Sequence, residues 1–157
     1  MSDEILIPGF IDLHIHGAYG ADVMDGTEEA VQTMTAKLPA EGTTSFLATT
    51  ITMEPQAISK AIANSVSFLK SEGEAEIVGI HIEGPFINES KKGAQPLEYI
   101  MDPSFSLLTE WIKAGKGMIK QMTYAPEITQ GVELTRFMQE NGLIHQLVTR
   151  MQITKRW

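Results

Sequence analysis

None of the 157 residues is a cysteine, which removes disulfides and thiolate metal ligands together. Any metal must therefore be held by His, Asp or Glu. Basic residues are also scarce: 12 Lys and Arg stand against 20 Asp and Glu, a net charge of −8. The only adjacent basic pairs are Lys91-Lys92 and Lys155-Arg156. With no basic face, nucleic acid is not an expected partner. A negative body still admits an anionic small molecule, because a few local donors suffice to bind one phosphate. No apolar run approaches the roughly 20 residues that cross a bilayer. The opening Met1-Ser2-Asp3-Glu4 is acidic where a secretory leader is basic. A cytoplasmic protein with no membrane partner is expected.

What is present is a globular composition, 43% apolar and 20% charged, enough for one core and too apolar for a disordered chain. The chain alternates short β-like runs with helical ones. Ile5–Ile15 reads as a buried strand ending in a Gly loop. Thr27 can cap a helix with Ala30, Val31, Met34 and Leu38 on one side. Thr43–Thr50 is β-branched after Gly42 and predicts a second strand. Pro55 suits the first turn of a helix whose stripe is Ile58, Ala61, Ile62, Ser65, Val66 and Leu69, ended by Gly73. Glu76–Ile82 is the third strand, and a long loop follows from Phe86 to Pro103. A helix over Ser104–Ala114 turns Leu107, Leu108, Trp111 and Ile112 inward. Met118–Tyr124 is a fourth strand and Val132–Glu140 a fourth helix. Four β-then-α units predict an α/β fold with a parallel sheet and right-handed crossovers. A whole eight-stranded barrel takes about 250 residues, so this length admits part of a barrel or an open doubly wound sheet.

The chemistry gathers at strand ends. In Asp12-Leu13-His14-Ile15-His16-Gly17, side chains two apart on a strand point the same way, about 6.6 Å apart. His14 and His16 can thus share one metal at the C-terminal end of the strand, where barrels and open α/β sheets carry their sites. A bare His-x-His is also compatible with two accidental surface histidines, but its place after a buried strand and before a Gly loop favours ligation. Asp12, on the same face, can orient a ligand or cap a turn. At the end of the third strand, Glu83 in His81-Ile82-Glu83-Gly84-Pro85-Phe86 is an acid placed where an unpaired charge is costly. A cation would relieve that cost. His81 reads as a hydrogen-bonded core residue rather than a ligand. Two imidazoles and a carboxylate suit Zn²⁺ or Fe²⁺, and such an ion makes hydroxide available at neutral pH for hydrolysis of a polarised carbonyl. Lys91-Lys92-Gly93-Ala94-Gln95 can offer backbone N–H groups and an amide to a polar ligand, although residue type alone favours a solvated loop. Glu127 either lines the site or simply starts a helix.

These stretches, in this order, resemble the N-acetylglucosamine-6-phosphate deacetylases of the amidohydrolase superfamily. Pro8–Gly17 is similar to the first-strand metal motif of the superfamily, while Gly79–Phe86, Lys91–Gln95 and Ala125-Pro126-Glu127 are more specific to the deacetylases. The resemblance covers roughly Ile5 to Ile144. It implies the N-terminal half of a (β/α)8 TIM-type barrel, about four βα units. It implies that His14, His16 and Glu83 ligate one or two zinc or iron ions, and that Ala94 and Gln95 contact the substrate, a phosphorylated amino sugar. Many members carry histidine where this chain has Gln95. The implied reaction removes acetate from N-acetylglucosamine 6-phosphate, with an aspartate on a late strand as general base. No catalytic residue of that kind is assigned within these 157 residues. Members of the family are expected to be homo-oligomers. The alternatives are another amidohydrolase, or a non-catalytic metal-binding or association module.

Residues 1–144 are assigned to the partial barrel domain and 145–157 to an aberrant tail. The family continues into Gly-His-Thr-Asp-Ala where this chain reads His145-Gln146-Leu147-Val148-Thr149-Arg150-Met151-Gln152. Starting each codon at the third base of the preceding one permits Ser-Ile-Gly-His-Thr-Asp-Ala over this stretch. A frameshifted tail is therefore expected, and with it a chain that lacks deacetylase turnover.

Overall fold

A computed structural model describes residues 5–147. Most of the expected tail, residues 148–157, lies outside the described residues. Five strands, β1 (Phe10–Ile15), β4 (Thr43–Thr49), β5 (Glu76–Glu83), β6 (Ile119–Tyr124) and β7 (Ile144–Leu147), form one sheet in the order β1-β4-β5-β6-β7. Every neighbouring pair is parallel. Between β1 and β4, a small antiparallel hairpin of β2 (Gly17–Ala18) and β3 (Ala21–Asp22) precedes the first helix. The crossovers are α1 (Glu28–Lys37), α2 (Pro55–Ser67), α3 (Phe105–Ala114) and α4 (Gly131–Glu140).

Local chemistry sets the helix ends. Thr27 Oγ1 accepts the Ala30 N–H and starts α1, Pro55 occupies the first turn of α2, and Ser104 caps α3. Gly42, at φ 84°, closes the turn into β4 in a conformation that favours glycine.

The helices pack on one face of the sheet. Ile80 and Ile82 of β5 and Met122 and Tyr124 of β6 share a core with Ile58 and Ile62 of α2, Leu108 and Trp111 of α3, and Leu134 and Met138 of α4. Phe46 and Ala48 of β4 meet Met34 of α1 in a second cluster. The alternate positions face the other way and are largely polar: Thr49, His81, Glu83, Gln121, Thr123 and Gln146. A doubly wound sheet needs helices on both faces. Helices on one face of a curled parallel sheet are the arrangement of a barrel wall, so the chain is half of a (β/α) barrel.

Three expectations about element edges are corrected. The first strand does not begin at Ile5; Ile5–Gly9 is irregular and Leu6 is 100% exposed. Its exposure also differs from that of a buried strand, because β1 is an edge of the sheet and no described helix covers Ile11 and Leu13. In the second helix, the stripe ends early: α2 stops at Ser67, and Leu69 stands 88% exposed. Beyond the four expected strands, a fifth, β7, pairs with β6 through Gln121↔Ile144 and Tyr124↔Leu147.

Candidate functional site

The C-terminal ends of β1, β4 and β5 meet on the polar face. Asp12 Oδ1 accepts the His14 N–H at 2.9 Å, which fixes the backbone one step before the site. Thr49 of β4 then ties down the end of β1: its Oγ1 accepts the Ile15 N–H at 3.1 Å, and its carbonyl oxygen lies 3.3 Å from His16 Nδ1. A carbonyl can only accept, so neutral His16 carries its proton on Nδ1 and turns a bare Nε2 into the site.

Three ligand atoms face one another there. His14 Nε2 and His16 Nε2 are 3.2 Å apart. Glu83 Oε2 lies 3.0 Å from His16 Nε2 and 3.7 Å from His14 Nε2. That oxygen is buried and, with His16 in the neutral form, has no hydrogen-bond donor. A bare His16 nitrogen against a carboxylate is an unsatisfied arrangement that a proton or a cation relieves. The electrostatics report the same conflict. Contact with the Glu83 carboxylate raises the His16 pKa against the opposing effect of burial. Burial pushes Glu83 up, but the His16 contact, the charges of His16 and His14, and a hydrogen bond from Gln95 together hold it below its ordinary value.

The donor set also fits a metal by dimension. Ligands at about 2.1 Å from a tetrahedral zinc stand about 3.4 Å from one another, and the three edges here are 3.2, 3.0 and 3.7 Å. His14, His16 and Glu83 are the group of potential ligands found among the described residues.

His81 lies fully buried one step deeper, with Nε2 2.6 Å from Thr123 Oγ1. Burial first, and the nearby His14 second, push its pKa down to about 4. It stands outside the ligand group, as the core reading expects.

In the loop from Lys91 to Gln95, Lys91, Gly93 and Ala94 are exposed, as its residue types favour, while Lys92 and Gln95 are half-buried and tied down. Gln95 Oε1 accepts the Thr52 N–H at 2.9 Å, and Lys92 Nζ donates to the Gln95 carbonyl at 3.0 Å. Folded in this way, Ala94 and Gln95 line a cleft of about 250 Å³ together with Glu83 and Lys91. Gly84 makes this approach possible: at φ 70° its missing Cβ leaves room for Thr52 Oγ1. Glu127 belongs to a larger adjoining cavity of about 830 Å³, which shares Ile87 and Lys92 with the first, and it accepts a hydrogen bond from Asn88. Sequence reading missed Thr49, Thr52 and Thr123. The only available signal was polar alternation in Gln121-Met122-Thr123, which marks an inward polar face.

A model described as the amidohydrolase family matches residues 5–141. The chain is 45% identical over 147 residues to the N-acetylglucosamine-6-phosphate deacetylase of Bacillus subtilis, covering 91% of this chain and 37% of that relative. Among solved structures, it resembles a mutant N-acetyl-D-glucosamine-6-phosphate deacetylase from Mycobacterium smegmatis, in complex with N-acetyl-D-glucosamine-6-phosphate. That match has a TM-score of 0.82 at 25% identity, over 90% of this chain and 36% of the other. The deacetylase from Thermotoga maritima matches at a TM-score of 0.75 and 31% identity, over 89% and 36%. The chain thus spans a little over a third of the length of these relatives.

Proposed function

The chain belongs to the amidohydrolase family, and from that premise we propose that it carries the metal-binding half of an N-acetylglucosamine-6-phosphate deacetylase active site. The observation that carries this reading is the triangle of His14, His16 and Glu83, with a buried carboxylate oxygen that has no hydrogen-bond donor. These three residues would hold a divalent zinc or iron ion. When bound, the metal supplies Lewis acidity toward the amide carbonyl and activates water.

This chain's own side chains do the positioning. Thr49 sets the tautomer of His16, Asp12 sets the backbone of His14, and Gln95 steadies Glu83. The cleft beside Glu83 would receive the acetamido group against Ala94 and Gln95. The relatives, deacetylases of N-acetylglucosamine 6-phosphate, support a phosphorylated amino sugar as the substrate class. No described helix is long and apolar enough to cross a membrane, which is compatible with a cytoplasmic enzyme, and the family's homo-oligomeric assembly would apply to the whole protein.

Asp12 and Asp22, the aspartates flanking the histidines, are engaged with the backbone N–H groups of His14 and Met24. Neither belongs to the triangle of His14, His16 and Glu83, and we propose that the 157-residue chain binds metal without turning over. Metal content by elemental analysis, with acetate release from N-acetylglucosamine 6-phosphate, tests both halves of this reading. Bound zinc or iron that is lost in Glu83→Gln, without acetate release, supports it. A chain that takes up no metal defeats it, and turnover by the purified chain would remove the claim of inactivity. The tail reading has its own test: the coding DNA past the Gly142 codon, read in the alternate frame, should continue into further barrel strands.

A further inference from the structure

The two histidines of β1 are not equally supported. His16 is held through Nδ1 by the Thr49 carbonyl. His14 has no such partner: its Nδ1 makes no hydrogen bond among the described residues, and its side chain is 38% exposed. A ligand with a free ring swings about χ1 and χ2, and that lost freedom is charged against metal affinity. Two rings flank that of His14 edge to face: His16, itself part of the triangle, with centroids 5.0 Å apart, and one from outside the triangle on β5. The rings of His14 and His81 meet edge to face, with centroids 4.8 Å apart and planes at 87°, the arrangement that imidazole and benzene rings favour.

We propose that His81 is a positioning residue for the metal centre, fixing the ring of His14 in its ligating orientation. The proposal rests on the metal-centre reading above. His81 is suited to the task because it cannot itself move. It is fully buried, and its Nε2 lies 2.6 Å from Thr123 Oγ1. The neighbours of that anchor are fixed in turn. Gln121 Nε2 lies 3.4 Å from His81 Nδ1 and donates to Gln146 Oε1 of β7 at 2.6 Å, while Thr123 Oγ1 is 3.4 Å from the same Gln146 oxygen. A polar ladder therefore runs from β7 through β6 to His81 and ends against the His14 ring. An inward core position with only a packing role is filled at less cost by an aliphatic residue, as Ile80 and Ile82 fill the outward face.

The test is Co²⁺ titration of the full 157-residue chain, read by visible absorption and by affinity, with folding followed by circular dichroism. His81→Leu removes the ring and its hydrogen bonds; Thr123→Val leaves the ring and removes its anchor. Loss of an outer-shell partner costs about 10–100-fold in metal affinity, and that range is expected for His81→Leu. Thr123→Val should show a smaller loss with a shifted cobalt spectrum. His81→Phe, which keeps a ring against His14, should recover part of the affinity. Wild-type affinity and spectrum in a folded His81→Leu chain overturn the proposal. If that variant does not fold, an unchanged spectrum in Thr123→Val does so. A wild-type chain that binds no cobalt overturns the metal reading and this one together. Loss in Glu83→Gln with no change in the His81 and Thr123 variants overturns this one alone.

Discussion

Glu83 Oε2 lies 3.0 Å from His16 Nε2, joining the end of β5 to the end of β1 across the intervening strand β4. His14 Nε2, 3.2 Å from His16 Nε2 and 3.7 Å from Glu83 Oε2, is the neighbour they share. The His16 proton is committed to Thr49 on the opposite side of the ring, and the carboxylate oxygen is buried. Whatever occupies the space between them controls both the stability of the strand ends and the chemistry available there.

Glu83→Gln should therefore abolish tight metal binding. It removes a charged ligand rather than an outer partner, so the loss should exceed the roughly 10–100-fold that an outer-shell deletion costs. Competition against a chromophoric chelator measures it, and affinity within threefold of wild type would rule Glu83 out as a ligand.

Metal uptake should strengthen with rising pH. His16 titrates above its ordinary 6.5 because the Glu83 carboxylate stabilises its charged form. The metal must displace that proton, so affinity should climb from pH 6 upward and level off only above the raised value. In the metal-free chain, the pair's own stabilising effect has two limits. The Glu83 part is present above the ordinary carboxylate value of 4.5 and lost as pH falls through its depressed pKa. The His16 part is present below 6.5 and lost as pH rises through its raised pKa. Zinc titrations at several pH values check the first trend, and urea midpoints across the same range check the second. A flat affinity profile would contradict the proton competition.

His81 should act in the opposite sense to His16. Its pKa, lowered to about 4 mainly by burial, means that the unfolded chain binds a proton the folded chain refuses. Its contribution is complete above 6.5 and is lost as pH falls toward 4, at most about 3 kcal/mol in all. His81→Phe should flatten the acid side of the stability curve, whereas His16→Ala should remove the decline in stability above 6.5. Chemical denaturation at pH 5, 7 and 8.5 separates the two.

The triangle was legible because its residues sit at the ends of single strands. His14 and His16 share a face by the two-residue period, and Glu83 ends an apolar run at a Gly-Pro stop. Their partners were not legible. Thr49 meets His16 only because β4 pairs with β1, with Ile15 opposite Ala48, and Thr123 meets His81 only through the β5–β6 register, with His81 opposite Gln121. Register is a tertiary property, and no local pattern marks which threonine will face which histidine. The β2–β3 hairpin was missed for a related reason: two-residue strands carry no periodicity, and its Gly17↔Asp22 pairing is made by backbone alone. Leu69 was misplaced on α2 because helical spacing continues past Ser67 while the chain itself turns extended at Phe68.

Gly84→Ala should couple stability to the site. The residue has φ 70°, and an added Cβ would collide with Thr52 Oγ1. A non-glycine residue held at such a φ costs about 1–3 kcal/mol, and displacing Thr52 also disturbs the N–H that Gln95 accepts. Urea denaturation should show the loss of stability, and chelator competition a weaker metal site. A neutral substitution in both measurements would mean that the Thr52 loop moves freely.

The free edges of the sheet should make the isolated chain associate. On β1, Ile11 and Leu13 are more than half exposed, and on β7 so are Ile144 and Leu147, while among the described residues each strand has one unpaired backbone edge. Exposed apolar edge strands template further pairing unless a charge blocks them. Size-exclusion chromatography with light scattering should find dimers or larger species whose population rises with concentration. Replacing the exposed Ile11 by Lys places a charge on this edge strand three residues before His14, and should shift the chain toward monomer. A wild-type chain that stays monomeric at high concentration would show that these edges are covered by some other part of the polypeptide.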